Sequence, residues 1–368
     1  MDTTDPGISF SMDGVCDYCR NYSETIQPQW AALLASDVSI NMMAHRIALD
    51  GEGKEFDCII GLSGGLDSSF AAYTAVVTMG LRPLLFHVDA GWNTDQAVGN
   101  IEKLIDHLGV ELYTEVIDWN SVRRMQVAFL RSGIPDQDLV QDAAFFSGLY
   151  KFARRHGIQH IITGSNFSTE CCREPEAWGG YLGIDTTLFG DIWRKCGDGK
   201  DITGFPLVDI ITYKIWYQKF IGMTVHYPLN SVPYSKQGAE RLLQEMCGWQ
   251  PFQHKHHESR FTRFYEDYWL PERFGFEKRR AHFSSLIMTG QMSRNDALER
   301  IRNPEMTTQF LDQEKQFVAG KLDLTLSELD ELFRQPKRTY RDYRNKRWLI
   351  SAGTKILRTL GMERRYFR

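Results

Sequence analysis

At 368 residues, with 42% hydrophobic residues, 24% charged residues and a formal net charge of −4, the chain has the make-up of a globular protein of about two domains. No apolar run approaches the roughly 18 residues of a membrane span, and the mildly negative balance argues against broad nucleic-acid binding. The opening Met1-Asp2-Thr3-Thr4-Asp5 is acidic rather than basic and then apolar, so a cytoplasmic location is expected, and the seven cysteines read as thiols or metal ligands rather than a disulfide framework.

In chain order, residues 1–50 form an N-terminal segment with one Cys-x-x-Cys, Cys16 and Cys19. Residues 51–210 read as an α/β domain. An apolar strand begins at Asp57 and runs into Ser63; a helix is expected over 68–79, a strand over 83–88 and an amphipathic helix over 95–108 with Val98, Ile101, Leu104, Ile105 and Leu108 on one face. A strand over 111–117, helices over 120–130 and 138–156, and a strand over 158–163 closed by Gly164 follow. Strands alternating with helices predict a parallel sheet covered on both faces, with ligands at the carboxyl ends of the strands. Residues 171–205, rich in Gly, Trp and charge, read as long loops over the site. Residues 211–368 read as a mainly helical region, with helices near 213–221, 235–246, 258–269, 279–290, 293–302, 307–319 and 325–333. Ser293 and Thr325 are the clearest helix starts, and a basic stretch, 338–368, reads as a solvated tail or surface helix.

The chemistry concentrates where the first strand ends, in Ser63-Gly64-Gly65-Leu66-Asp67-Ser68-Ser69. A strand, a tight turn and a helix start aim backbone N–H groups and the positive end of the helix dipole at one spot, which suits an anion. Gly64 and Gly65 allow close approach to phosphate oxygens, Ser63, Ser68 and Ser69 offer hydroxyls, and Asp67 can cap the helix or hold Mg²⁺. The Lys-Ser/Thr ending of a Walker-type loop is missing, which points away from γ-phosphoryl transfer. Two further polar clusters fall at strand ends, one with Asp89 and one with Gly164 and Asn166, where adenosine or the reacting group should lie; turn formation and helix capping are their ordinary alternatives.

The loop matches the SGGxDS motif of the PP-loop ATP pyrophosphatases, which cleave ATP between the α and β phosphates. Further segments resemble one branch of that superfamily, the N-acetyl sugar amidotransferases that turn an acetamido group on a sugar into an acetamidino group. These are Asp2 to Phe10 with Asp13 to Cys19; His87 to Asn93; Thr163 to Asn166 with Glu170; and, most specifically, Lys255-His256-His257-Glu258-Ser259-Arg260-Phe261-Thr262-Arg263-Phe264, continued by Asp267 to Pro271, Lys278 to Ile287 and Gln291 to Arg294. The resemblance implies ATP and Mg²⁺ as cofactors, with pyrophosphate held by Ser63, Gly64, Gly65, Ser68 and Ser69 and Mg²⁺ brought in by Asp67. It makes Lys255, Arg260 and Arg263 candidates for closing over the phosphates, against the ordinary reading of a solvated basic face. Glu170 is a candidate for binding Mg²⁺ or positioning ammonia.

The family usually opens with another Cys-x-x-Cys just before the Asp-Thr-Thr-Asp-Pro stretch. For Cys16 and Cys19 three alternatives are open: a start upstream of Met1, completion of a zinc site by Cys171 and Cys172, or no metal. Neither Cys58 nor Cys247 has the setting of a glutaminase nucleophile. The resemblance therefore implies ammonia from a separate glutamine amidotransferase of the histidine-biosynthesis type (HisH-like), docked with a cyclase-like barrel (HisF-like). The substrate expected is an N-acetyl sugar, nucleotide-linked or a nonulosonic acid such as pseudaminic acid, on the way to LPS O-antigen or flagellin glycan. The alternatives are a tRNA-modifying PP-loop enzyme of the thiolase or lysidine synthetase type, and a noncatalytic ATP-binding scaffold.

Overall fold

The computed structural model describes residues 1–180, 183–202 and 204–359. Five parallel strands, β1 (Cys58–Gly61), β2 (Pro83–Asp89), β3 (Leu112–Val116), β4 (His160–Ile162) and β5 (Thr224–His226), lie in the order β3-β2-β1-β4-β5. Side chains alternate across the central strands. Ile59 joins Leu84, Phe86 and Ile161 on one face, while Cys58 and Ile60 join Leu85 and Ile162 on the other. Because both faces are covered, β1 reads as an unbroken apolar run; each fully buried side chain of this kind contributes about 1.5–3 kcal/mol.

Four helices complete the crossovers: α1 (Leu66–Tyr73), α2 (Asp95–Leu108), α3 (Trp119–Ser132) and α4 (Leu139–Arg155). Thr94 caps α2 by accepting a hydrogen bond from the Ala97 N–H at 3.2 Å, and Asp118 caps α3 through Ser121 at 2.8 Å, so both starts are set by short polar side chains. The chain runs outward from β1 through β2 to β3 and returns to β4 on the other side of β1. That reversal makes the carboxyl ends of β1 and β4 the switch point, where the flanking loops diverge and leave room for a ligand.

The structure departs from the sequence reading in two places. The stretch expected to be loops contains a helix, Thr186–Cys196, started by Asp185, whose Oδ1 accepts from the Thr187 and Leu188 N–H groups at 2.8 and 3.2 Å. The sheet also takes β5 from beyond residue 210, where only helices were expected; three residues with a mixed pattern carry too little periodicity to read as a strand. The rest of the C-terminal region is helical, including α5 (Arg260–Phe264), which runs on to Phe274, and α6 (Thr308–Lys321). Helices at Arg294–Arg302 and Leu326–Arg334 start at Ser293 and Thr325 as expected, the latter with a complete capping box to Glu328. The basic run Arg364 to Arg368 lies outside the described residues. Among those described, no helix is long and apolar enough to cross a membrane.

The joint between β4 and α1 is tight. A Cβ on Gly164 would lie 2.5 Å from the carbonyl carbon of Asp67 and 2.8 Å from the Ser68 nitrogen, backbone atoms that cannot turn aside. Gly164→Ala should therefore cost about 1–3 kcal/mol of unfolding free energy in urea titrations. Gly99→Ala, on α2 with nothing within 4 Å, should be neutral or stabilising by up to about 1 kcal/mol. Equal stabilities for the two variants would contradict this close packing.

Candidate active site

The loop after β1 is shaped by its own hydroxyls. Ser63 Oγ and Ser68 Oγ lie 3.1 Å apart, the Gly65 N–H donates to Ser63 Oγ at 3.2 Å, and Ser68 Oγ donates to the Gly65 carbonyl at 3.2 Å. Gly64 has φ +81°, and a Cβ there would meet the Ala97 carbonyl at 2.5 Å, so both conformation and space demand glycine. Gly65 precedes the first turn of α1, and Asp67 sits in that turn. Ser63, Ser68 and Asp67 are partly accessible, whereas Ser69 is fully buried and its Oγ finds no hydrogen-bond partner.

Around Asp67 the structure gathers residues far apart in sequence. Lys255 Nζ donates to Asp67 Oδ2 at 3.1 Å and to Glu170 Oε1 at 2.6 Å. Asn166 Nδ2 donates to Asp67 Oδ1 at 3.2 Å, while Asn166 Oδ1 accepts from the Thr169 N–H at 2.8 Å. Asn166 is thus both the cap of the short helix Phe167–Glu170 and a partner of the site. The Tyr234 hydroxyl donates to Asp67 Oδ1. Burial alone would lower the Lys255 pKa, but the Asp67 and Glu170 charges outweigh it and hold the ammonium above the ordinary lysine range. Burial would raise Glu170, yet Lys255 holds its carboxyl below the usual range.

A carboxylate also occupies the mouth of the loop. Ser63 Oγ donates to Glu258 Oε1 at 3.2 Å, and that oxygen lies 2.7 Å from where a Gly65 Cβ would be. The loop therefore accommodates a negatively charged oxygen, for which a phosphate oxygen is the natural counterpart. The Lys255 ammonium likewise stands where Asp67 and Glu170 converge on a cation. These residues fit Mg²⁺ and a pyrophosphate group, with Asp67 and Glu170 as the carboxylates that would hold the metal.

His254, His256 and His257 fasten the segment that carries Lys255 and Glu258. They meet Glu305 at 2.5 Å, Glu266 at 3.1 Å and Asp267 at 2.9 Å, three carboxylates of the C-terminal region. Desolvation would lower His256, whose side chain is nonetheless exposed, but the Glu266 carboxylate beside it pushes it up to about 9. At the end of β2, Asp89 Oδ1 accepts from the Gly91 N–H at 2.7 Å and from Asn93 Nδ2 at 3.2 Å, so it shapes the turn beside the site.

The structure does not bring Arg260 and Arg263 over the loop. On α5 they share a face, as their spacing implies, but both grip the buried carboxylate of Glu314 on α6, at 2.5 and 2.9 Å. Arg260 also covers the Phe317 ring, with its guanidinium carbon 3.2 Å from the centroid. Their guanidiniums tie α5 to α6, which corrects their expected place as a phosphate clamp. Cys16 and Cys172 pack in one small cluster with Tyr18. Among the described residues no group of three His, Cys, Asp or Glu side chains is arranged to hold a metal, so zinc at Cys16 and Cys19 gains no support.

Residues 258–357 match the model of the family described as LPS biosynthesis protein WbpG-like, C-terminal domain. The match overlaps the segment on which the sugar-amidotransferase resemblance rests most firmly, and it takes in Glu258, Arg260, Arg263 and His282. No curated protein matches the chain. Among solved structures, the NH3-dependent NAD synthetase from Campylobacter jejuni is 13% identical with a TM-score of 0.32, covering 84% of this chain and 98% of that one. The NMN synthetase from Francisella tularensis is 20% identical with a TM-score of 0.30, covering 78% and 98%. At these scores the likeness carries no argument, and the fold rests on its own topology.

Glu258, Tyr234 and His282 join the site without having been singled out. His282, on the WbpG-like segment, donates from Nδ1 to the Thr169 carbonyl at 3.3 Å. Burial, then the positive charges of Lys255 and Lys236, push its pKa down to about 3. The folded chain therefore keeps this imidazole neutral, while the unfolded chain takes up a proton below about 6.5. Its contribution to stability is present above that pH and is lost as the pH falls toward 3. Asp138 and Asp142, raised to about 7 and about 6 by desolvation and neighbouring carboxylates, titrate in the opposite sense over an overlapping range, so the comparison must be with a single-site variant. Acidification from about pH 7.5 to about pH 5 should destabilise the parent chain by up to about 2 kcal/mol more than His282→Gln. Equal losses in denaturant titrations at the two pH values would place His282 outside the cationic cluster.

Proposed function

We propose that this protein is an ATP-dependent, AMP-forming amidotransferase acting on an N-acetyl sugar in the assembly of a bacterial surface glycan. The observation that carries the reading is Lys255 bridging Asp67 and Glu170 beside a loop that already holds an anionic oxygen. The WbpG-like match, from a family described by LPS biosynthesis, supports the glycan setting.

The chemistry follows from the weakness of an amide as an electrophile. Its oxygen must first be made a leaving group, so the amide oxygen attacks the α-phosphorus of ATP, the bond to the bridging oxygen breaks, and pyrophosphate departs. Ammonia then adds to the imidate carbon, loses protons, and AMP leaves with the former amide oxygen. The chain's own groups meet the electrostatic demand of the first step: Ser63, Ser68 and the N–H groups opening α1 face the departing pyrophosphate, and Lys255 lies beside it. Mg²⁺ held by Asp67 and Glu170 would supply further neutralisation of the phosphate charge.

The cysteines favour ammonia delivered from outside. Burial raises the thiols of Cys58 and Cys247, and it pushes Cys171 up to about 11 and Cys172 up to about 12, the opposite of what a glutaminase nucleophile needs. We take the ammonia source to be a separate glutamine amidotransferase, with a barrel partner to pass the ammonia on.

Incubation with ATP, Mg²⁺, ammonium and candidate acetamido sugars should give AMP and pyrophosphate in equal amounts and a sugar about one mass unit lighter, as replacement of oxygen by NH requires. Glutamine in place of ammonium should give nothing with the purified chain. ADP and phosphate as the stoichiometric products would overturn the adenylating mechanism, and glutamate released from glutamine would overturn the need for a partner.

A further inference from the structure

A carboxylate at the mouth of a pyrophosphate loop is chemically out of place. Glu258 puts Oε1 3.2 Å from Ser63 Oγ and against Gly65, within the set of donors that a phosphate oxygen would use. Two anions cannot share those donors without strong repulsion, because the site is walled by protein and screened less than a surface pair. The carboxylate also needs no help from the loop to hold its own backbone in place. The Thr94 N–H donates to the Glu258 carbonyl at 3.0 Å, Ser259 bridges antiparallel to Asn93, and the Arg260 N–H donates to the Trp92 carbonyl at 2.8 Å. On the other side the three histidine pairs fasten residues 254–257 to the C-terminal region. Main chain on both sides of Glu258 is therefore pinned, and its side chain is the part free to move.

We propose that Glu258 gates the loop: its carboxylate is a built-in competitor that occupies the pyrophosphate position and must rotate out before a phosphate chain can enter. The inference rests on reading Ser63 to Ser69 as the pyrophosphate loop. It gives the chain a reason to place an acid three residues after Lys255. The lysine closes the cation position between Asp67 and Glu170 while the glutamate closes the anion position, so the segment bearing both seals the loop with charges complementary to it. Nucleotide entry then requires both side chains to exchange partners, and affinity for a phosphate ligand is reduced by the fraction of time the gate is shut.

The test is pyrophosphate binding by calorimetry to the full chain, with and without Mg²⁺, comparing the parent chain with Glu258→Gln and Glu258→Ala, each checked by a thermal melt. Gln keeps the shape and removes the charge; Ala removes both and leaves the pinned backbone. Both variants should bind pyrophosphate at least tenfold more tightly, with the larger gain in the absence of Mg²⁺. Unchanged or weaker binding in folded variants, with the parent chain still binding, would overturn the gate and leave the loop reading standing; weaker binding only with Mg²⁺ would make Glu258 a metal ligand instead. If neither the parent chain nor the variants bind pyrophosphate or ATP, the loop reading itself falls, and the gate with it.

Discussion

Two carboxylates that approach the same point repel each other unless a cation stands between them, and in this protein the cation comes from a different part of the chain. Asp67 lies in the first turn after β1 and Glu170 in the short helix after β4, on the two sides of the switch point. Lys255 reaches both. Removing one member of such an ionic group is destabilising because the remaining charges are left uncompensated. The C-terminal region is thus part of the site's electrostatics, and the position of the Lys255 segment matters as much as the loop it covers.

That position is secured by further contacts that do not touch the loop. The histidine pairs hold one side of the segment, and the backbone bridge to Asn93 holds the other. Immediately beyond it, Arg260 and Arg263 lock α5 to Glu314 of α6. Glu314 is 1% exposed, so its two guanidinium partners are what make its burial tolerable. A run of basic and histidine side chains is here the fastening of a helical region onto an α/β sheet, with Lys255 the member turned toward the loop.

The parallel sheet, its first four strands and the loop were legible in the sequence because their signals are local: an apolar run, then Ser-Gly-Gly, then a helix start. That Asp67 and Asn166 lie together also followed from strand ends meeting at one edge, whereas Glu170 was singled out only through the family resemblance. Long-range partners were not legible. The i, i+3 spacing of Arg260 and Arg263 correctly placed them on one face, but nothing local says that the acid they meet is Glu314 rather than a phosphate. Tyr234, Glu258 and His282 reach the site from segments whose own patterns concern helix starts and packing. The helix at Thr186–Cys196 had a readable signal, Asp185 as a cap and Leu188, Phe189 and Ile192 at helical spacing, which the surrounding glycines and charges obscured. β5 offered almost none.

The claim on which the rest depends is that Lys255 links the C-terminal region to the loop's chemistry. The most direct measurement is ATP-dependent AMP formation by Lys255→Met, which keeps an apolar stem and removes the ammonium, alongside a thermal melt. The account predicts a folded chain whose kcat/KM for ATP falls by about a hundredfold or more, the scale of losing one group that stabilises developing charge. Turnover close to that of the parent chain in a folded Lys255→Met would contradict it.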